Sequence, residues 1–484
     1  MLLWFIFVAI LGYFVQNLIK SRISSFTSTP GWIFWWILMT PALVLTAWLI
    51  VMGPNNPPPS KMVFLLFLFS FFFSFWFISI GQKRTKTPSE IVKPELIAPA
   101  VKVVPIEPDE EARLRDCFPW SIYYLQQLDY KPQAILCRGR LRTNSDEAYL
   151  TIKSNIERAF GQRFLVLFQD SLKGPFFALV PNTTQEKTYK DEPVTRPFFA
   201  LLLLLITLFT TTYIGTRISG GEIKNLEANI SILRLGLPYS LGLMVILGTH
   251  ELGHYFAAVK YKIKTTLPYF IPLPFFLGTF GAFIQMKSSV PNRRALFDVS
   301  IAGPITGFLV TIPLLLWGLS LSSTVNLDTG TSNILNFHAL DPRFSLLLSL
   351  LSKIALGSTL STGKAIVMHP LAIAGYIGLI VTALNLLPVG QLDGGHIVHA
   401  MYGQRTAVVV GQITRILVFL LALGRPDLIL WAILLFLFPL GDQPALNDVS
   451  ELNNGRDFLG LSTLALLLTI LLPVPNLVSQ WLSI

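Results

Sequence analysis

The sequence predicts a multi-span α-helical membrane protein interrupted by a small soluble α+β insert. Three observations predict it. The chain is 52% apolar and only 13% charged over 484 residues, so it lacks the polar surface that a soluble protein of this size needs. It contains a series of apolar runs near the roughly 20 residues that a helix needs to cross a hydrocarbon layer. Between those runs lies one polar interval, residues 82–196, with prolines at both margins.

The first three runs, roughly 2–19, 31–53 and 62–81, make residues 1–81 a membrane anchor with three spans. The chain is apolar from its second residue, and Lys20 and Arg22 follow the first run rather than precede it. That order reads as a retained anchor, not as a cleaved signal or transit peptide. Residues 197–484 form the hydrophobic bulk, with runs at 198–215, 237–258, 297–320, 370–387, 405–423, 426–440 and 459–474. About ten spans result. Arg415 interrupts one of them, and 344–357 reads as a helix lying on the surface or on the protein.

Within the insert, Ala148, Ile152, Ile156 and Ala159 recur at helical spacing between a cap at Ser145 and a stop at Gly161. Flanking runs at Gln133–Leu141, Arg163–Phe168 and Pro175–Val180 read as strands, which predicts a small α+β domain. Two cysteines, Cys117 and Cys137, support neither a disulfide framework nor a thiolate metal site.

The net charge of +10 comes from basic residues beside span ends, such as Lys83, Arg84 and Lys86, then Lys260, Lys262 and Lys264, then Arg293 and Arg294. This pattern reports topology rather than nucleic-acid binding. With the basic ends on the cytoplasmic side, the insert is inside and the N-terminus outside. The fifth span then runs inward to Lys260, and the seventh returns inward to end at Asn385–Asp393. Two motifs about 140 residues apart thereby reach the same side and depth of the membrane.

The first motif is His250-Glu251-Leu252-Gly253-His254. Histidines four apart on a helix project from one face and can share one ion, with Glu251 beside them to take a proton from water. Two neutral imidazoles, a carboxylate and an open position suit hydrolytic zinc. Ionisable side chains inside a membrane helix are costly and mark function. Asp393 is the best candidate for the third donor, because the returning span ends at the depth of the histidine pair. An Asp-Gly step alone signals only a turn. The longer string, from Asn385 and Pro388 through Leu392, Asp393, Gly394 and Gly395, gives it weight. His396 and His399 follow Asp393 by three and six residues, but a site of this class keeps one position open, so neither is counted as a ligand. They read as packing residues or as residues supporting the ligands, with His396 the better support, and His338 and His369 read as unrelated to the chemistry.

At this point the chain resembles the site-2 protease family of intramembrane metalloproteases, which pairs a His-Glu-x-x-His helix with a downstream Asn-x-x-Pro-x-x-x-Leu-Asp-Gly segment. The resemblance covers roughly 237–450. It implies a site-2 protease-like helical core, one Zn2+ per chain held by His250, His254 and Asp393, and Glu251 as the catalytic base. Gly278-Thr279-Phe280-Gly281 is similar to the family's membrane-embedded hairpin, and Ala302-Gly303-Pro304 to the start of its next span. Gly278 and Gly281 either open a strand edge to an extended substrate or serve packing in a re-entrant loop. Asn385 either holds the substrate backbone or developing oxyanion, or closes a helix end. Gly139-Arg140-Leu141-Arg142 is similar to the Gly-Asn-Leu-Arg motif of the ethylene-dependent gravitropism-deficient and yellow-green proteases of chloroplasts and their cyanobacterial relatives, with Arg in place of Asn. A cyanobacterial plasma or thylakoid membrane follows as the expected location, with the site towards the cytoplasm.

The expected function is hydrolysis of peptide bonds in or near transmembrane segments of other membrane proteins, within the lipid bilayer. The competing reading is a membrane metal-ion transporter. It predicts ionisable residues strung across several spans, whereas the candidate spans hold few besides His250, Glu251 and His254. A catalytically silent relative would have lost one of the four key residues, and all four are present.

Overall fold

The computed structural model describes residues 108–484 apart from 132–133, 172–173, 183–195, 221–229, 274–276, 327–335 and most of 425–441; before residue 108 it describes 30–53 and scattered single positions. The expected spans 2–19, 62–81 and 426–440 lie outside the described residues save for isolated positions. The chain divides into two units, residues 1–99 with 421–434, and residues 100–420 with 435–484.

In the first unit, α1 (Gly31–Met52) is an apolar helix of 22 residues. The Trp35 indole donates to Gly12 O at 3.1 Å, and Ser70 Oγ donates to Ile37 O at 2.8 Å.

The second unit begins with α2 (Pro108–Asp116) and an antiparallel sheet. Its strands β1 (Tyr123–Lys131), β2 (Ala134–Leu141), β3 (Phe164–Gln169) and β4 (Phe176–Pro181) lie in the order β1-β2-β4-β3. Between β2 and β3 runs α3 (Ser145–Phe160), whose buried stripe of Ala148, Ile152 and Ile156 follows the expected spacing. The cap is Asn144 rather than Ser145: its side chain accepts from Asp146 N, and it is the last residue with extended backbone. Tyr123, Ile135, Phe168, Phe177 and Leu179 are fully or almost fully buried beneath the helix, with the Phe168 and Phe177 rings stacked 4.1 Å apart. Gly139-Arg140-Leu141-Arg142 closes β2, and Arg142 lies over the Trp120 and Tyr124 rings.

The remaining helices form the bundle. They are α4 (Pro197–Ile218), α5 (Leu237–Lys260), α6 (Arg293–Ser320), α7 (Leu346–Leu356), α8 (Pro370–Leu386), α9 (Asp393–Tyr402), α10 (Gln404–Gly424), α11 (Asn454–Leu471) and α12 (Asn476–Leu482). Among the described residues, five helices are long and apolar enough to cross a membrane: α1, α4, the stretch Ser231–Lys260 that contains α5, α6, and Gln404–Ala422 of α10. The pair α11 and α12, bent by 74°, makes a sixth if counted as one broken span.

The expected span 370–387 is a different kind of helix. With 17 residues α8 is shorter than the others, and it is buried on nearly every side, including Leu371 to Leu379, Thr382, Ala383 and Leu386. It is the central post against which α5, α6 and α11 pack. An all-round apolar sequence is the mark of a helix surrounded by other helices as much as of one surrounded by lipid. Helix α7 lies on the protein as expected, with Leu348 and Leu351 in the bundle core. A hairpin, β5 (Tyr269–Pro272) with β6 (Thr279–Phe283), and an antiparallel pair that brackets α7, β7 (Ser323–Asn326) with β8 (Lys364–Val367), complete the described part of the unit.

Candidate metal centre

His250 and His254 occupy successive turns of α5 and are both buried, at 4% and 8% exposure. Their Nε2 atoms stand 3.1 Å apart. Asp393 Oδ2 lies 3.5 Å from His250 Nε2 and 3.4 Å from His254 Nε2. Three donor atoms therefore form a nearly equilateral triangle inside the bundle. Tetrahedral zinc, with bonds of about 2.0–2.1 Å to nitrogen and oxygen, spaces its ligand atoms by about 3.3 Å. The triangle fits that ion without rearrangement. Among the described residues no other group of three or more His, Cys, Asp or Glu donors gathers in this way.

Local sequence explains how each donor arrives. The His254 imidazole donates through Nδ1–H to Val299 O at 2.8 Å, which leaves the Nε2 lone pair facing the site. Room for this ring comes from Gly303 on α6, where a Cβ would fall 2.1 Å from His254 Nε2. Pro304 follows it and removes an N–H from the same stretch of helix. Gly307, one turn on, faces the His250 ring. The three residues Ala302, Gly303 and Pro304 thus mark the surface of α6 that receives the histidine helix.

Asp393 opens α9 directly after a tight reversal from the end of α8. The reversal requires the two glycines that follow it. A Cβ on Gly394 would sit 1.9 Å from Leu386 O, and one on Gly395 2.3 Å from Gly390 O. The Asp-Gly-Gly string is thus a packing solution that lets α9 fold back against the end of α8.

These donors and their spacing lie within residues 238–423, the segment that matches the model of peptidase family M50. Residues 238–423 belong to peptidase family M50. The chain is 34% identical over 371 residues to the probable zinc metalloprotease EGY1, chloroplastic, of Arabidopsis thaliana, covering 71% of this chain and 66% of the relative. Its counterpart in Oryza sativa subsp. japonica is 30% identical over 379 residues, covering 72% and 63%, and the Arabidopsis protein named EGY2 is 28% identical over 361 residues, covering 74% and 63%. The chain spans slightly under two thirds of the length of these curated relatives. No solved structure matches it.

The other expected site residues of the M50 segment fall around the triangle. Glu251 is buried beside His254, next to the backbone of Ile284 just beyond β6. The Asn385 amide stands 3.2 Å from His250 Nε2, so this residue at the end of α8 faces the donor cluster. Gly278 and Gly281 belong to the β5–β6 hairpin, in the left-handed region at φ +83° and +107°. Gly278 presses on the α4 backbone at Thr211, and its carbonyl accepts from Thr210 Oγ1 at 2.7 Å. Gly281 pairs with Ile271 across the hairpin, and a Cβ there would meet nothing within 4 Å. Among the described residues the hairpin has only two strands, so β6 has no strand partner on its outer edge there, and Phe280 and Phe283 are exposed.

His396 and His399 are not among the donors, and neither holds a ligand imidazole in place. Both Nδ1 atoms contact Asp442 Oδ2, at 2.6 and 2.8 Å. Val299 O, not His396, orients His254. His369 caps α8, its Nδ1 accepting from Leu371 N. Sequence reasoning passed over Asp442 and Asp448. Their signal was two acids within a polar stretch, Gly441 to Ser450, directly following an apolar run.

Proposed function

We propose that the chain is a zinc-dependent intramembrane protease that hydrolyses peptide bonds in or near transmembrane segments of other membrane proteins. The observation that carries this reading is the triangle of His250 Nε2, His254 Nε2 and Asp393 Oδ2, with edges of 3.1–3.5 Å, on helices inside an apolar bundle. The relatives in Arabidopsis and rice, probable zinc metalloproteases, support it. In this reading His250, His254 and Asp393 hold one zinc ion. When bound, zinc lowers the pKa of water towards neutrality and polarises the scissile carbonyl. Glu251 takes a proton from the attacking water and delivers it to the leaving amine. Asn385, beside His250, donates its amide to the carbonyl oxygen as charge develops there.

A transmembrane helix hides its peptide bonds in its own hydrogen bonds, so cleavage requires an extended segment. The outer edge of β6 can pair with such a segment by strand addition. Gly281 leaves that edge open, and Gly278 seats the hairpin on α4. The site faces the cytoplasmic half of a multi-pass protein, in a plasma or thylakoid membrane of the cyanobacterial type. A transporter would string its ionisable groups along a path, whereas here they converge on one point.

The test is Glu251→Gln in the purified chain with a transmembrane reporter substrate. Cleavage is expected to fall to background while zinc content stays near one per chain. Parental cleavage by this variant would remove Glu251 from the chemistry. Zinc content unchanged in both His250→Ala and Asp393→Ala would remove the metal site.

A further inference from the structure

Residues 442–450 form a strap that no part of the proposed chemistry uses. It runs beside β3 in parallel: Phe168 N donates to Leu446 O at 2.7 Å, and Asp448 N donates to Phe168 O at 2.8 Å. Gln169 Nε2 adds a bond to Ala445 O, and Asn447 Nδ2 one to Asp146 Oδ1 on α3. On its other side the strap bonds the residues that lead into α6, with Leu446 N donating to Val290 O and Asn447 N to Pro291 O. It therefore lies between the sheet and the helices that carry the metal donors.

The strap also grips α9. His399 is fully buried with both ring nitrogens facing carboxylates: Nδ1 lies 2.8 Å from Asp442 Oδ2, and Nε2 lies 3.0 Å from Asp448 Oδ1. A ring that must donate from both nitrogens is an imidazolium. It is flanked by two acids, of which Asp448 also accepts from Arg293 Nε at 3.3 Å and Asp442 also from His396. Gln404 Nε2 bonds Asp442 O, which fixes the start of α10 to the same point. Breaking a buried charge cluster of this kind strands a charge, so the arrangement resists sliding or rotation of α9. Asp393 is the first residue of that helix, and its carboxylate must hold station within a few tenths of an ångström to complete the donor triangle.

We propose that Asp442 and Asp448 are positioning residues for the metal centre, clamping His399 so that α9 holds Asp393 in register and the sheet is mechanically tied to the site. The proposal rests on reading His250, His254 and Asp393 as the metal ligands. Groups hydrogen-bonded directly to metal ligands are worth about 10–100-fold in metal affinity, and a clamp that acts through α9 should reach the lower end of that range.

The experiment measures zinc affinity by chelator competition, and the visible spectrum of the Co2+-substituted protein, on the full chain in detergent. Parental protein is compared with Asp442→Asn and Asp448→Asn at matched folded fraction by near-ultraviolet circular dichroism. Affinity is expected to fall about 10-fold in Asp442→Asn, with a Co2+ spectrum shifted away from the parental one. A purely structural role would lower the melting temperature and leave the metal affinity and spectrum of the folded molecules unchanged; that result overturns the proposal. Parental protein that binds no zinc would overturn the metal reading itself, a separate and recognisable failure. If the variants do not fold, hydrogen exchange on the parental chain decides. Zinc loading should raise protection of 442–450 together with 393–402, and a rise confined to 393–402 overturns the coupling.

Discussion

Gly303→Ala adds one methyl group where the structure has no room for it. The new Cβ would lie 2.1 Å from His254 Nε2 and 2.5 Å from Cδ2 and Cε1 of the same ring. The ring must retreat by roughly 1 Å or more to reach ordinary van der Waals contact, and its Nδ1 bond to Val299 O, at 2.8 Å, opposes that motion. A donor displaced by 1 Å no longer meets the other two at the spacing zinc needs, so the site loses a ligand while every ligand residue remains in the sequence. The helix itself gains from Ala over Gly, by about 1 kcal/mol, which offsets part of the roughly 1–3 kcal/mol that overpacking costs. Net stability should therefore change little. The expected outcome is near-complete loss of bound zinc, measured by mass spectrometry after dialysis against a chelator, with a thermal transition close to the parental one. Gly307→Ala is the matched control: its Cβ would approach the His250 ring no closer than 3.1 Å, so a slight shift suffices and most zinc should remain. Parental zinc content in Gly303→Ala would refute the claim that this glycine makes the space for the ligand.

The clamp around His399 predicts a pH dependence of stability, since it lies outside the candidate spans. Burial works against the charged ring, but the hydrogen bonds to Asp442 and Asp448 outweigh it and push His399 up to about 9 from its ordinary 6.5. A raised folded-state pKa gives stability that is complete below about 6.5 and lost as pH rises through 9. Burial likewise opposes Asp442, whose bonds to His396 and His399 pull it down to about 2, so its contribution is complete above about 4 and lost as pH falls towards 2. The melting temperature should decline between pH 6.5 and 9, and the decline should flatten in His399→Gln; an identical slope in that variant counts against the clamp. On the face of α3 that packs against the sheet, Ile152→Ala empties a fully buried position and should cost about 2–5 kcal/mol by denaturant unfolding. Chelation of a zinc-loaded sample should lower the melting temperature, because an ion bound only by the folded state stabilises it by mass action; no change would argue that the donors hold nothing tightly.

Much of the site was legible because its chemistry sits in short, local patterns. The i, i+4 histidines declare one face of a helix, and the charge asymmetry together with the Asn385–Gly395 string points Asp393 to the same place. Helix α3 declared itself through the 148–152–156 period. Strand β1 did not, because Gln126, Gln127 and Asp129 break its alternation and the strand lies exposed at the sheet edge. Helix α8 read as a span because hydropathy measures apolarity and cannot tell lipid from neighbouring helices. The strap stayed hidden for a different reason: its partners, Phe168, Val290 and His399, lie about 50 to 280 residues away in the chain, and no local period records such pairings. Asp442 and Asp448 looked like ordinary loop acids until the fold set His399 between them.

The shortness of α8 also bears on the surrounding lipid. At about 1.5 Å per residue, its 17 residues reach roughly 25 Å, against a hydrocarbon layer of about 30 Å. The post at the centre of the bundle therefore falls several ångströms short of the bilayer's thickness, and the Asn385–Asp393 turn hangs from its end. Enclosed by α5, α6 and α11, this helix meets protein rather than lipid along its length, so that length is set by the helices around it and not by the bilayer. The turn at its end, with Asn385 and Asp393, is therefore held at a depth that protein contacts fix, and the spacing of the donors does not follow the thickness of the surrounding membrane. On the reading proposed above, a change of lipid would then act on how a substrate presents its own helix and leave the donor triangle as it is.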